Sequence, residues 1–235
     1  VVTTGETTKA GISSSILLPD IALLDPNLTL GLPAHITAMT GVDAMVHAIE
    51  AYTSKHKKNP ISDCLSVRSL KLLSENIEMA VRDGSNVESR EGMLLGSMLA
   101  GQAFANAPVA AVHALAYPLG GHYHIPHGLS NSLVLPAVLE FNMPEAYLLY
   151  AELAEALIPE RGSCSLESKA RAFLDLMCEI IRDVDLPPTL EKVSIPETDL
   201  EMLATEAMLQ QRLLINNPRE MTEEDALKIY QAAYR

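Results

Sequence analysis

Residues 35–53 read HITAMTGVDAMVHAIEAYT and open the part of the chain in which the residue pattern turns helical. Apolar residues recur there at helical spacing, and the polar loop SKHKKNP at residues 54–60 ends the run. Asp43 and His47 are four residues apart, so a helix places both side chains on one face. The stretch therefore predicts a helix from about residue 35 to 53 that carries two side chains able to bind a metal.

The same signals predict further helices downstream, each an apolar run of helical period closed by a stop signal. They cover residues 61–82, 87–106, 109–117, 130–140, 144–157, 166–184, 198–211 and 223–233. Gly92, Gly96 and Gly101 lie on or near one stripe of the helix at 87–106. Glycine costs about 1 kcal/mol per helical site relative to alanine, so this stripe predicts close approach of another backbone.

The first thirty residues differ from the rest of the chain. Residues 1–4 and 12–16 are β-prone runs next to glycines and predict a hairpin. Residues 20–25, with sequence DIALLD, predict a short buried strand that Pro26 ends. We expect a mainly α fold with two parts, a short β-containing segment at residues 1–32 and an all-helical domain at residues 33–235.

Charge, hydropathy and cysteine content argue against several classes of binding partner and against a membrane or secreted location. The formal net charge of −13 argues against nucleic acid and against an anionic membrane surface. No apolar run reaches transmembrane length, and no signal peptide is visible. The cysteines, Cys64, Cys164 and Cys178, are too few and too scattered for a disulfide framework. We expect a cytoplasmic protein; its oligomeric state is left open, with a homo-oligomer compatible with the sequence.

Four of the seven histidines, His113, His122, His124 and His127, fall within fifteen residues. His113 interrupts the apolar run PVAAVHALAYPLGG, and His127 lies in the segment HYHIPHG. Together with Asp43 and His47 they offer an oxygen and several nitrogens, a donor set that suits Fe(II), Zn(II) or another divalent transition metal. Spacing alone leaves ordinary alternatives open, because such an Asp–His pair is often a surface ion pair and a buried histidine is often a satisfied core residue.

Longer motifs resemble those of the iron-containing (group III) alcohol dehydrogenases. Residues 41–50, GVDAMVHAIE, are similar to the family's G-x-D-A-x-x-H-A-x-E helix. Residues 112–120, VHALAYPLG, followed by PHGLSN at 126–131, are similar to its second signature. The resemblance implies that one divalent metal is held by Asp43, His47, His113 and His127.

The resemblance also implies the architecture and the reaction. Members of this dehydroquinate synthase-like fold have an α/β nucleotide-binding domain followed by a helical domain, so residues 1–32 correspond to the last hairpin and strand of the former. The family's Gly-rich pyrophosphate-binding turn would lie before residue 1, and the chain alone is expected to be inactive. The implied activity is hydride transfer between a primary alcohol or its aldehyde and NAD or NADP, assisted by the metal.

The resemblance also implies roles for two further residues, Lys9 and Tyr117, and each has an alternative role. Lys9 falls where the family has a lysine near the cofactor, and a solvated hairpin lysine is the alternative. Tyr117 takes a position where many members carry a histidine that handles protons, and it either hydrogen-bonds the substrate oxygen or lines the pocket.

Two other functions also stay open. One is a reductase or transhydrogenase for a hydroxy or oxo acid, which would need a cation aimed at the site. Residues 103–131 contain no Arg or Lys, which favours an uncharged substrate. The other is a metal-binding fragment without catalytic activity.

Overall fold

The computed structural model describes residues 2–3, 9–10, 14–161 and 165–235. The α-helices of these ranges are α1 Ala34–Thr53, α2 Pro60–Arg82, α3 Val87–Asn106, α4 Ala111–His122, α5 His127–Leu157, α6 Leu166–Asp183, α7 Leu200–Ala207, α8 Gln211–Leu214 and α9 Glu223–Tyr234. The expected fold class, mainly α, is confirmed. None of these helices combines the length and the apolarity that a membrane crossing requires.

Local capping signals explain where the second and third helices begin. The Asn59 side chain accepts hydrogen bonds from the backbone N–H groups of Ile61 and Ser62, and Pro60 occupies the first turn. In the same way, the Asn86 side chain accepts from the Ser89 N–H at the start of α3. Both helices therefore start within one residue of the predicted positions.

Helix α1 lies at the centre of the packing and contacts α2, α3 and α5, while α4 packs on α5 and α7. The inner face of α1 is fully buried, with Val42, Met45, Val46 and Ile49 at most 1% exposed. Apolar burial of this kind contributes about 1.5–3 kcal/mol for each large side chain. The arrangement fixes the face that carries Asp43 and His47 against the starts of α4 and α5.

The glycine stripe of α3 meets side chains rather than another backbone. A Cβ at Gly96 would lie 2.8 Å from Leu73 Cγ, and one at Gly92 would lie 2.5 Å from the Asn76 amide, both on α2. Gly101 has nothing within 4 Å. Gly92 and Gly96 therefore allow α2 to pack closely on α3, whereas Gly101 has no such role.

Helix α5 corrects a second expectation. Two helices were predicted at 130–140 and 144–157, but one helix runs through Pro136 and Pro144. An interior proline costs a helix about 3 kcal/mol, which in isolation favours a break. Because α5 packs along its length on α1, α4, α6 and α9, tertiary contacts outweigh that local cost. The predicted helix at 198–211 is divided instead, into α7 and α8, around an exposed Leu209.

The N-terminal segment also departs from the predictions. Strand β1 Val2–Thr3 pairs antiparallel with β2 Lys9–Ala10, so the second strand precedes the predicted run at 12–16, part of which lies outside the described residues. Residues 21–25 have no regular structure, and Ile21 and Leu23 are 84% and 88% exposed. The predicted buried strand is wrong because, in the described part of the chain, no sheet lies beside it to bury its apolar side chains.

Candidate metal centre

Three helices bring the four candidate ligands together. Asp43 and His47 lie one turn apart on α1, His113 lies in the first turn of α4, and His127 is the first residue of α5. One ligand atom from each of the four lies within 4.8 Å of all the others. The Nε2 atoms of the three histidines are 3.8–3.9 Å from Asp43 Oδ1.

These distances fit one divalent transition metal ion. Metal–ligand bonds of about 2.0–2.2 Å at tetrahedral angles place donor atoms about 3.4 Å apart. Even the most widely separated donors, which lie within 4.8 Å of each other, need to move by only about 0.7 Å each. The side chains of Asp43, His47 and His127 remain 18%, 22% and 24% exposed, whereas His113 is buried. The site therefore opens on one side, as a metal site that also binds substrate requires.

The glycine of the PHG motif permits the approach of α5 to α1. A Cβ added at Gly128 would lie 2.3 Å from the Met39 carbonyl oxygen and 3.3 Å from Asp43 Cβ. Both contacts are shorter than real Cβ atoms tolerate comfortably, and the first is to backbone. His127 can reach Asp43 because its neighbour has no side chain.

Glu50 orients one of the histidines, a role that the sequence analysis did not assign. Its Oε2 lies 2.6 Å from His113 Nδ1, and its Oε1 accepts a hydrogen bond of 2.7 Å from the Val112 N–H. Glu50 is only 4% exposed. A carboxylate that accepts from Nδ1–H fixes the tautomer and leaves Nε2 free to bind a metal. Its signal in the sequence is its place on the Asp43–His47 face, three residues after His47.

Asn131, one turn after His127 on α5, is a second residue that the sequence analysis gave no role. It is fully buried, and its amide nitrogen donates to Asp43 Oδ1 while lying 3.3 Å from His113 Nε2 and 3.4 Å from His127 Nε2. Its Oδ1 is buried without a hydrogen-bond partner among the described residues. Asn131 thus holds the Asp43 carboxylate in place from the side of α5.

The electrostatic environment keeps two of the ligands, Asp43 and His47, in the protonation states that a metal needs. Burial raises the pKa of Asp43, but the three imidazoles and the Asn131 hydrogen bond together bring it below its ordinary value. Burial, helped by the neighbouring His113, lowers the pKa of His47 to about 3 against the opposing effect of Asp43. At neutral pH the site therefore offers an ionised carboxylate and an uncharged His47.

The pattern of the Fe-containing alcohol dehydrogenase family, C-terminal part, matches residues 37–234. The chain belongs to this family. Long-chain-alcohol dehydrogenase 1 of Geobacillus thermodenitrificans is 43% identical over 97% of the chain and 58% of the relative. Sulfoacetaldehyde reductase of Bilophila wadsworthia is 35% identical over 96% of the chain and 59% of the relative.

Solved structures agree with this assignment. An alcohol dehydrogenase from Oenococcus oeni superimposes with a TM-score of 0.85 at 37% identity, covering 89% of this chain and 54% of that one. Sulfoacetaldehyde reductase from Bifidobacterium kashiwanohense, solved in complex with NAD+, gives 0.84 at 28% identity, covering 94% and 56%. The chain spans little more than half the length of the relatives it matches.

Aromatic rings line the centre. The His47 ring stacks on His113 at 4.7 Å between centroids and lies 4.6 Å from the Phe104 ring. Tyr117, four residues after His113 on the same face of α4, is buried with its ring 6.0 Å from that of His127. Burial raises the pKa of Tyr117, and the adjacent Arg212 side chain partly offsets this effect. The sequence argument for an uncharged substrate considered only residues 103–131, whereas Arg212 belongs to α8.

The other candidate residues do not join the quartet. His122 is bound by Glu206, with 2.6 Å between His122 Nε2 and Glu206 Oε2. His124 lies in the loop before α5 with a left-handed φ of 55°. The backbone of Lys9 belongs to β2, but its side chain lies outside the described part of the structure.

Proposed function

We propose that this chain supplies the metal-binding part of an oxidoreductase that interconverts a primary alcohol and its aldehyde by hydride transfer with NAD or NADP. The observation that supports this most is the quartet Asp43, His47, His113 and His127, gathered from three helices around one point that is open on one side. The resident metal that we propose is Fe(II), with Zn(II) or another divalent transition metal as the alternative. One oxygen and three nitrogen donors suit these ions.

The quartet would hold the ion, and the surrounding residues orient its ligands. A bound divalent ion supplies Lewis-acid polarisation of the alcohol or aldehyde oxygen. Glu50 fixes the tautomer of His113, and Asn131 fixes the carboxylate of Asp43. Phe104 and the stacked imidazoles form an aromatic wall on one side of the site. We propose that the Tyr117 hydroxyl hydrogen-bonds the substrate oxygen, and lining of the pocket is the alternative role.

We further propose the domain division already suggested by the sequence, with residues 33–235 as the metal-binding domain. Residues 1–32 then form the edge of a nucleotide-binding domain, with Lys9 as a contact to the cofactor. In support, Ile16, Ile21, Leu23 and Leu28 are 84–91% exposed, a density of exposed apolar side chains that is typical of a surface that another domain covers.

A second class of substrate is favoured by one observation, the Arg212 side chain beside Tyr117. An alcohol or aldehyde that also carries an acid group would find a cation at the edge of the site. One relative, from Bilophila wadsworthia, is named a sulfoacetaldehyde reductase.

The proposed reaction is tested with the full-length protein that contains this sequence. Purified enzyme is assayed for NADH or NADPH formation from a series of primary alcohols, with and without a chelator, beside Asp43→Ala. We expect formation that requires metal and falls at least a hundredfold in the variant. Turnover at the wild-type rate by Asp43→Ala would show that the quartet is not the catalytic centre.

A further inference from the structure

A large cleft lies beside the candidate metal centre, bordered by the loop after α1, the end of α3 and α8. It has a volume of about 870 Å³, and its lining includes His56, Lys57, Phe104, Val109, Arg212 and Leu213. Phe104 borders both the cleft and the metal centre, because its ring also lies 4.6 Å from the His47 ring. The cleft therefore adjoins the metal centre at Phe104.

Two cations line this cleft. Lys57 and Arg212 have no carboxylate partner among the described residues, although the neighbours of Lys57 do, since Lys55 pairs with Glu220 and Lys58 with Asp63. The chain as a whole is acidic, with 30 acidic and 17 basic residues. Two cations without such partners on one cleft make a local positive region in an acidic molecule.

The other residues that line the cleft indicate which class of ligand would fit it. Phe104, Val109 and Leu213 are apolar and suit a short carbon chain. A guanidinium group presents planar N–H donors that match two oxygens of a carboxylate, sulfonate or phosphate. Arg212 also lies against the Tyr117 phenol, which places its cation on the side of the cleft that faces the metal ligands.

We propose that Arg212, assisted by Lys57, forms an anion-binding subsite that takes the acid end group of a substrate whose hydroxyl or carbonyl end reaches the metal centre. This inference rests on the proposed function, because it assumes that substrate oxygen binds at the quartet. The substrate class is a short alcohol or aldehyde with a carboxylate, sulfonate or phosphate at its far end. The diphosphate of a dinucleotide offers the same chemistry from a second source.

The experiment compares two ligands of similar size, 3-hydroxypropionate and uncharged 1,3-propanediol. Their dissociation constants are measured by NMR titration of the Zn(II)-loaded chain, in wild type and in Arg212→Gln. We expect 3-hydroxypropionate to bind more tightly than the diol and to lose about tenfold in affinity in the variant, as expected for a lost hydrogen bond to a charged group. Arg212→Lys keeps the charge but lacks the planar guanidinium group. Its affinity for 3-hydroxypropionate is expected to lie between those of wild type and Arg212→Gln.

A matched control is Arg68→Gln, which removes an exposed arginine from α2 away from the cleft and is expected to bind like wild type. Equal affinity of wild type and Arg212→Gln for 3-hydroxypropionate would overturn the subsite. Inorganic pyrophosphate is titrated in the same way. If it were the only ligand to lose affinity in Arg212→Gln, the subsite would belong to the cofactor and not to the substrate.

Repeating the titration after chelation separates this inference from the proposed function. We expect 3-hydroxypropionate to lose affinity when Zn(II) is removed, because its hydroxyl end then has no ion to bind. Binding that depends on Arg212 but not on Zn(II) would uphold an anion site and contradict the proposed binding of substrate oxygen at the metal.

Discussion

Glu50 is the residue on which the orientation of His113 depends. Both of its carboxylate oxygens are used, one by His113 Nδ1 and one by the Val112 N–H. Glu50→Gln keeps the size of the side chain but replaces one acceptor oxygen with an NH2 group, which favours the wrong tautomer of His113. We expect the affinity for a divalent metal to fall about 10–100-fold, the usual effect of losing such an outer partner.

The effect of Glu50→Gln is measured by competition for Zn(II) with a coloured chelator. Glu152→Gln is the matched control. Glu152 accepts a hydrogen bond of 2.7 Å from Tyr52, which also lies on α1, but it has no hydrogen bond to a member of the quartet among the described residues. Equal metal affinity of Glu50→Gln and Glu152→Gln would show that Glu50 is not needed to orient His113.

Tyr117 offers a test of catalytic chemistry at a single atom. Its ring packs near His127, and its hydroxyl lies beside Arg212. If that hydroxyl donates to substrate oxygen, Tyr117→Phe in the full-length enzyme lowers kcat tenfold or more, at about 1.4 kcal/mol per decade. We expect this loss in steady-state assays, with metal content unchanged by elemental analysis. An unchanged kcat would leave Tyr117 only its packing role.

At the scale of elements, local signals predicted the first three helices well. Helix α3 has the predicted bounds, and α1 and α2 each begin one residue before them. Asn59 and Asn86 are caps that act within three residues of themselves, so no tertiary information is needed to find them. The continuous α5 and the exposed segment 20–25 were predicted wrongly, because packing partners distant in sequence decide whether a proline is tolerated or a strand is buried.

The residues of the candidate site also divide into those that could be predicted from the sequence and those that could not. The one-turn spacing of Asp43 and His47 follows from the sequence alone. The clustering of four histidines made His113 and His127 candidates, and the resemblance selected these two. Asn131 and Arg212 gain their roles only from three-dimensional contacts, since Arg212 comes from a helix about a hundred residues further along the chain than Phe104. No spacing rule within one helix could have connected them.

The contact between α1 and α5 makes a prediction of its own. Gly128→Ala places a Cβ against the Met39 carbonyl, so the two helices must separate. Overpacking of this kind costs about 1–3 kcal/mol, and we expect the melting temperature to fall by about 2–12 °C. Metal affinity is expected to fall as well, because His127 and Asp43 move apart.

Gly101→Ala serves as the control in thermal unfolding followed by circular dichroism. It lies inside α3 with nothing within 4 Å of the added Cβ. Replacing a helical glycine with alanine stabilises by about 0.5–1 kcal/mol, so a rise in melting temperature is expected. Gly128→Ala melting at or above wild type would contradict the close helix approach.

At the scale of the whole molecule, a metal at the quartet would join α1, α4 and α5, which are distant in sequence and together form much of the core. A ligand that binds only the folded chain stabilises it by RT ln(1 + [L]/Kd), about 2.7 kcal/mol at a hundred times Kd. For a chain of this length each kcal/mol raises the melting temperature by about 2–4 °C. Adding Zn(II) to the metal-free protein is therefore expected to raise it by about 5–10 °C.

The variant His127→Ala removes the one ligand that α5 supplies. The three ligands on α1 and α4 remain, and the donor set is incomplete. We expect it to lose stoichiometric metal in elemental analysis and most of the Zn(II)-dependent rise in melting temperature, since α5 is no longer tied to α1. His35→Ala, an exposed histidine in the first turn of the same α1, should keep both. If His127→Ala bound one ion per chain and gained the same thermal shift as wild type, the stabilising ion would have to lie elsewhere.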